Sequence, residues 1–181
     1  RQILKKIRAD RTGYFWFTGL PGTGKTLLLY DIAMKLSGRQ RVCMIHCGEA
    51  GKEWKVLHER LRRVEYLAED SVQTGAEIRF EAYSAILVDE AHLLSPNTLE
   101  ILLEIGKTRP VIFSSNCEDM ISPEELDLGA IKLLGEQPGI QTFHLTNRIR
   151  ANAELSYFIQ NMMHLPHGRG MRHYPHVAVG F

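Results

Sequence analysis

A chain of 181 residues is long enough for one domain with a sizeable core, and 44% apolar with 24% charged residues is the balance of a soluble globular protein. A formal net charge of +1 excludes a globally basic binder of polyanions, so any such contact must come from a local patch. No apolar stretch approaches a membrane span, and the basic start Arg1-Gln2-Ile3-Leu4-Lys5-Lys6 lacks the apolar core of a signal peptide.

The chain has no initiator Met, which predicts a domain excised from something longer. Its cysteines, Cys43, Cys47 and Cys117, are odd in number and lack metal-ligand spacing. Cys43 and Cys47 fall in an apolar run and read as core thiols, in keeping with a reducing, cytoplasmic setting.

Residues 14–18 are the first apolar run and predict a buried strand. Next comes Gly19-Leu20-Pro21-Gly22-Thr23-Gly24-Lys25-Thr26, which fills every position of the pattern G-x-x-x-x-G-K-[ST]. Leu27-Leu28-Leu29 then opens a helix predicted over 25–36 and stopped at Ser37-Gly38. Strand, loop and helix in that order are the setting in which the pattern cradles phosphates. Gly22 and Gly24 let the backbone curl with its N–H groups inward, and the helix adds its positive end. Lys25 is placed to reach the β- and γ-phosphates and the Thr26 hydroxyl to take a position on Mg²⁺. Leu20, Pro21, Thr23 and Leu27 complete the nucleotide-binding stretch.

A second strand is predicted over 42–46 and a helix over 53–68. Lys52, Lys55, Arg60, Arg62 and Arg63, with Trp54 nearby, suit the backbone and bases of a single strand. Glu53, Glu59 and Glu65 equally fit a solvated amphipathic helix. Residues 69–81 have weak periodicity and read as a surface excursion. The strand predicted over 85–88 ends in Asp89-Glu90. Asp89 is placed to hold Mg²⁺, usually through water, and Glu90 to orient and deprotonate the water that attacks the γ-phosphate. No guanine-specifying Asn-Lys-x-Asp segment is present, so ATP rather than GTP is the expected substrate.

Ser95-Pro96 opens a helix predicted to residue 105. The strand predicted over 111–115 leads into Asn116 and Asp119, first and second choices for a polar residue that touches the γ-phosphate. A helical segment near 124–134 and a strand over 141–145 follow. Arg148 and Arg150 then enter a helix over 151–163; a guanidinium there could neutralise charge on the transferred phosphoryl group, or simply be solvated or paired with Glu154. The tail carries His164, His167, His173 and His176 without an accompanying cysteine and reads as a basic linker rather than a zinc site, with a last strand near 176–179. Apolar strands alternating with helices predict a three-layer α/β/α P-loop NTPase of RecA-like type with a mainly parallel sheet. Residues 1–165 would be the ATPase domain, and 166–181 a linker with the first strand of a second domain.

This order of motifs resembles the first motor domain of superfamily 1 helicases, and more narrowly the Schlafen-like helicase domain of bacterial and phage proteins. The resemblance rests on Gln2, the loop at 19–26, Asp89-Glu90, the strand end at 115–119 and Leu145-Thr146-Asn147-Arg148-Ile149-Arg150, and spans nearly the whole chain. The last segment points to superfamily 1, because superfamily 2 helicases keep their finger arginines in the second motor domain. The resemblance implies that Gln2 reads the adenine edge and that Arg150 senses phosphate, with Arg148 as the substitute. It also implies single-stranded DNA or RNA and a second motor domain as partners. At the third motif the family has Gly-Asp-x-x-Gln where this chain has Ser115-Asn116-Cys117-Glu118-Asp119. Asp119 therefore stands where a phosphate-sensing Gln is expected, and a carboxylate there is repelled by triphosphate unless a cation bridges them.

The expected function is ATP hydrolysis as the first motor domain of a nucleic-acid helicase or translocase, weak in this domain alone. The alternative is an ATP-dependent switch or assembly ATPase, AAA-like or signalling, that does not move on nucleic acid. A nucleotide-binding module without catalysis is a third reading, against which the intact Asp89-Glu90 pair stands.

Overall fold

The computed structural model describes residues 2–49, 61–74 and 77–146. A helix α1 (Gln2–Asp10) leads into strand β1 (Gly13–Gly19), and the phosphate loop passes into α2 (Lys25–Ser37). Then follow β2 (Val42–His46), β3 (Val64–Ala68), a short α3 (Glu69–Gln73), β4 (Ile86–Asp89) and α4 (Pro96–Gly106). The described chain ends through β5 (Pro110–Asn116), α5 (Pro123–Asp127), α6 (Ala130–Glu136) and β6 (Gln141–Leu145). Among the described residues every strand pairing is parallel, and the six strands lie in the order β3-β2-β4-β5-β1-β6.

The continuous apolar runs reflect burial on both faces, and alternation along each strand sorts the side chains between two cores. Phe15, Phe17, Met44, Leu87 and Ile112 pack on one face with Ile7 of α1 and Leu29, Ile32 and Ala33 of α2. Tyr14, Cys43, Ile45, Ile86, Val88, Val111 and Phe113 pack on the other with Leu99 and Leu102 of α4 and Ala130 and Leu134 of α6. That is the expected α/β/α sandwich, RecA-like in class. Phe15, Phe17 and Phe113 are fully buried, and each such side chain stabilises the fold by about 1.5–3 kcal/mol relative to exposure. The fit is tight at Gly106, where a Cβ would lie 2.0 Å from the Tyr14 ring; the Tyr14 hydroxyl donates to the Leu103 carbonyl of the same helix.

Four expectations change. The helix predicted over 53–68 is overturned at its end, since Val64–Ala68 is an edge strand in register with Val42–His46. The excursion at 69–81 contains α3 and a 3-10 turn over Phe80–Ala82. The segment near 124–134 is two helices rather than one, broken where Gly129 takes a left-handed φ of 73°. Helix α1 was not foreseen. Expected elements at 151–163 and 176–179, and the zinc-or-linker question in the tail, lie outside the described residues.

Candidate nucleotide site

The strand order decides what meets at the carboxyl edge of the sheet. β5 lies between β1, which feeds the phosphate loop, and β4, which ends in the acids. Asn116 at the tip of β5 is in register with Gly19, and the Cys117 N–H donates to the Gly19 carbonyl at 3.2 Å.

The loop turns through left-handed Gly22 (φ 75°) and Gly24 (φ 85°), which only glycine adopts without strain. Gly19 has another reason to be glycine: a Cβ there would meet the Leu145 carbonyl at 2.7 Å. The Thr23 hydroxyl donates to the Leu20 carbonyl at 2.8 Å and its N–H to the same oxygen at 3.3 Å, which closes the turn. Leu20 is half exposed, Pro21 is exposed and Leu27 partly buried. Among the described residues no side chain caps the N-terminus of α2, so its first N–H groups face the loop with the helix dipole behind them.

Lys25 is buried, and its ammonium donates to the carbonyls of Gly19 (2.9 Å) and Leu20 (2.8 Å). Burial pushes its pKa down, against the opposing pull of the Glu90 and Asp89 carboxylates. The Thr26 hydroxyl donates to Asp89, 3.0 Å from Oδ2 and 3.3 Å from Oδ1. Asp89 is only 1% exposed, and its Oδ1 also accepts from the Glu90 N–H at 3.1 Å.

Glu90 takes a left-handed φ of 56°, rare for a residue with a side chain, and this turns it off the line of β4. Its carboxyl is raised above the usual range, first by burial and then by the Asp89 charge, although His92, Lys25 and His46 draw it back. An elevated carboxyl is what a general base working near neutral pH requires.

Two histidines were missed by sequence reasoning. The buried His92 places Nε2 3.3 Å from Glu90 Oε2. His46 ends β2 in register with Asp89, its Nδ1 3.8 Å from Asp89 Oδ2 and its Nε2 3.0 Å from the Glu49 carbonyl. Burial opposes charging His46, but Asp89, the Glu49 carbonyl and Glu90 outweigh it and raise its pKa. The signal for His92 was its place two residues after Glu90; for His46 it was a polar residue closing an apolar run.

Lys25, Thr26, Asp89 and Glu90 are therefore brought together, with Asn116 beside Gly19. Asp119 follows in the exposed 3-10 turn Glu118–Met120. Arg148 and Arg150 lie outside the described residues, as does the side chain of Gln2. So do Lys52, Trp54, Lys55 and Arg60; Arg63 donates to the Gly38 carbonyl at 2.6 Å, at the end of α2.

Thr26 and Asp89 offer a hydroxyl and a carboxylate, hard oxygen donors suited to Mg²⁺. Their separation matches the roughly 3.0 Å between neighbouring oxygens on an octahedral cation with ligands at about 2.1 Å. Among the described residues no three His, Cys, Asp or Glu side chains form a metal cage, so the site fits an ion that takes its other ligands from phosphate and water. No described helix is long and apolar enough to cross a membrane.

Among solved structures, the Legionella pneumophila ATPase DotB is similar over 80% of this chain and 43% of its own, at 17% identity and a TM-score of 0.48. A Pif1 helicase, from a structure of two coordinating helicases unwinding forked double-stranded DNA, is similar over 89% of this chain and 46% of its own, at 13% identity and a TM-score of 0.49. The chain thus spans less than half the length of either, and at these values neither likeness bears on function. No curated protein matches the sequence significantly. The model of the ATPase family associated with various cellular activities matches residues 15–124, from β1 through the phosphate loop and the acid pair to the start of α5. The chain belongs to that AAA family of P-loop ATPases.

Proposed function

We propose that this domain binds ATP with Mg²⁺ at residues 19–27 and hydrolyses it. One observation carries the reading: the Thr26 hydroxyl lies 3.0 Å from the Asp89 carboxylate, with Glu90 next along the chain. Lys25 exchanges the Gly19 and Leu20 carbonyls for β- and γ-phosphate oxygens, a short reach for a charge already at the loop. Thr26 and Asp89 hold Mg²⁺, which when bound shields phosphate charge and fixes the phosphates in line for attack. Glu90 takes a proton from the attacking water, and His92 steadies the glutamate's free oxygen. Asn116, level with Gly19, contacts the γ-phosphate. Arg150 stabilises the transition state, with Arg148 as substitute, and Gln2 reads adenine.

The output we assign is movement on single-stranded DNA or RNA. Here residues 1–165 serve as the first motor domain, 166–181 link to a second, and turnover by this domain alone is weak. The ordered series from the phosphate loop to Leu145…Arg150 supports this, including its narrower Schlafen-like form. A second reading, an AAA-like switch or assembly ATPase, is favoured by the family match over 15–124. A cytoplasmic setting suits both.

Glu90→Gln is expected to lower ATP turnover by about 10²–10⁴-fold while leaving ATP binding intact. Steady-state phosphate release and equilibrium binding test this, and robust turnover by that variant would remove Glu90 from its role. ATPase rates of the full-length protein with and without single-stranded DNA or RNA separate the outputs. Stimulation supports the motor; its absence favours the switch.

A further inference from the structure

We propose that Trp16 and Ser115 are positioning residues for Asn116, holding its peptide so that its side chain meets a γ-phosphate on the other face of the sheet. The proposal rests on the reading of Asn116 as the γ-phosphate contact and names what supports that residue. The Trp16 indole N–H donates to the Ser115 hydroxyl oxygen at 2.8 Å, and that hydroxyl donates to the Asn116 carbonyl at 3.0 Å. The N–H of the same peptide unit, that of Cys117, donates to the Gly19 carbonyl at 3.2 Å. Both polar atoms of the 116–117 peptide are therefore held, one from behind and one by the root of the phosphate loop.

Alternation sorts these groups between the two faces. On β5, Val111 and Phe113 pack in the α4-side core and Ile112 in the α2-side core, so Ser115 points to the α4 side and Asn116 to the α2 side. Trp16 packs against the α4-side core as well. The β1–β5 ladder pairs Thr18 with Ser115 and Gly19 with Asn116. Trp16 therefore reaches Ser115 along the diagonal, a span that an aromatic side chain covers. Ser115 is 1% exposed, while Asn116 is only partly buried. Bonds buried this deeply are not traded for water, whereas the strand tip is open to a ligand.

Mutual satisfaction of two buried polar groups accounts for the Trp16–Ser115 bond, since a buried indole N–H needs an acceptor. The onward bond gives the pair a second effect: it sets the peptide on which Asn116 hangs. β5 ends at Asn116, so the ladder does not fix the chain beyond it. A side chain that must meet one phosphate oxygen has to be held within about 0.5 Å by its surroundings. The Ser115 hydroxyl supplies that hold from the scaffold side, and Trp16 fixes the hydroxyl. Because both act through Asn116, their loss should be felt by ATP and not by ADP, which has no γ-phosphate.

The test is calorimetric binding of ADP and of a β,γ-imido ATP analogue, both with Mg²⁺, together with thermal unfolding without nucleotide. The proteins are wild type, Asn116→Ala, Ser115→Ala, Trp16→Phe and the double variant Trp16→Phe/Ser115→Ala. The quantity read is the preference for the triphosphate, the ratio of the two affinities. Asn116→Ala should lower it by about tenfold or more, the size of one hydrogen bond to a charged group. Ser115→Ala should lower it by about three- to tenfold, with ADP affinity within about twofold of wild type. Trp16→Phe keeps the hydroxyl but loses its anchor, and should lower the preference less. Ser115→Ala leaves the indole N–H without a partner and should unfold at a lower temperature; the double variant removes both groups and should regain much of that stability. The lost preference should not return with it. An unchanged preference in Ser115→Ala would overturn the proposal, and so would a preference restored in the double variant, which would mark a packing pair. Wild-type preference in Asn116→Ala would overturn the reading of Asn116 itself.

Discussion

At the carboxyl edge of the sheet, polar groups on the two faces are held in opposite ways. On the α4 side they form a closed set: Glu69 accepts from the Ser95 N–H (2.7 Å) and the Gln73 amide (3.0 Å), the same amide reaches the Ser95 hydroxyl (3.0 Å), and Ser95 caps α4 at Thr98. On the α2 side, at the same edge of the sheet, the groups are loosely held. Lys25 rests on two carbonyls, Thr26 rests on Asp89, and Ser114 has no partner among the described residues. The first arrangement fixes the chain entering α4 just beyond the acids. The second leaves donors that can change partners when a charged ligand arrives. A rigid scaffold on one side thus carries an exchangeable set on the other, as a site that must bind and release requires.

Substitutions should divide along that line. The largest effect is expected from Lys25→Ala, which should weaken ATP binding by about 100-fold through loss of charge-assisted contacts to two phosphates. Calorimetric binding would show this, with an unfolding temperature that moves less than in the next variant. Glu69→Ala should do the reverse, costing about 1–3 kcal/mol by leaving the Ser95 N–H and Gln73 amide short of a partner. Chemical denaturation would measure it, with ATP affinity changed by less than twofold.

The smallest effect concerns the thiols. Cys43 and Cys47 lie in the α4-side core, and burial drives both thiol pKa values far up, while Cys117 is partly exposed beside the phosphate loop. Alkylation of the native protein should therefore reach Cys117 first, and Mg–ATP should slow it severalfold; equal labelling of all three would break the comparison. Because Cys43 and Cys47 hold their protons more tightly folded than unfolded, their contribution is complete below about pH 8.5 and declines as pH rises above it.

What was legible in the sequence was local. The phosphate loop, the acid pair and the strands at 42–46 and 141–145 each announce themselves within a few residues. The edge strand Val64–Ala68 did not, because it follows Arg60-Leu-Arg-Arg63 and carries Glu65 among apolar residues, which imitates a helical face. In the fold Glu65 is matched instead by Arg41 at 2.7 Å and the Tyr83 hydroxyl at 2.5 Å, partners 24 and 18 residues away. Helix α1 hid because Ile3, Leu4 and Ile7 give barely two turns of apolar spacing in a basic stretch. His46 acquires meaning only from strand register, which brings a residue 43 positions from Asp89 alongside it. Arg150, the residue on which the motor reading leans, lies outside the described residues.

The left-handed backbone at Glu90 sets durability against work. Glycine there would relieve strain on the order of 1 kcal/mol, and the chain would fold more securely without the carboxylate proposed to activate water. A lineage or a laboratory screen that rewards heat resistance alone would drift toward that inert form. On the proposed assignment of Glu90 as the base, selection on turnover is what holds a glutamate in that left-handed position.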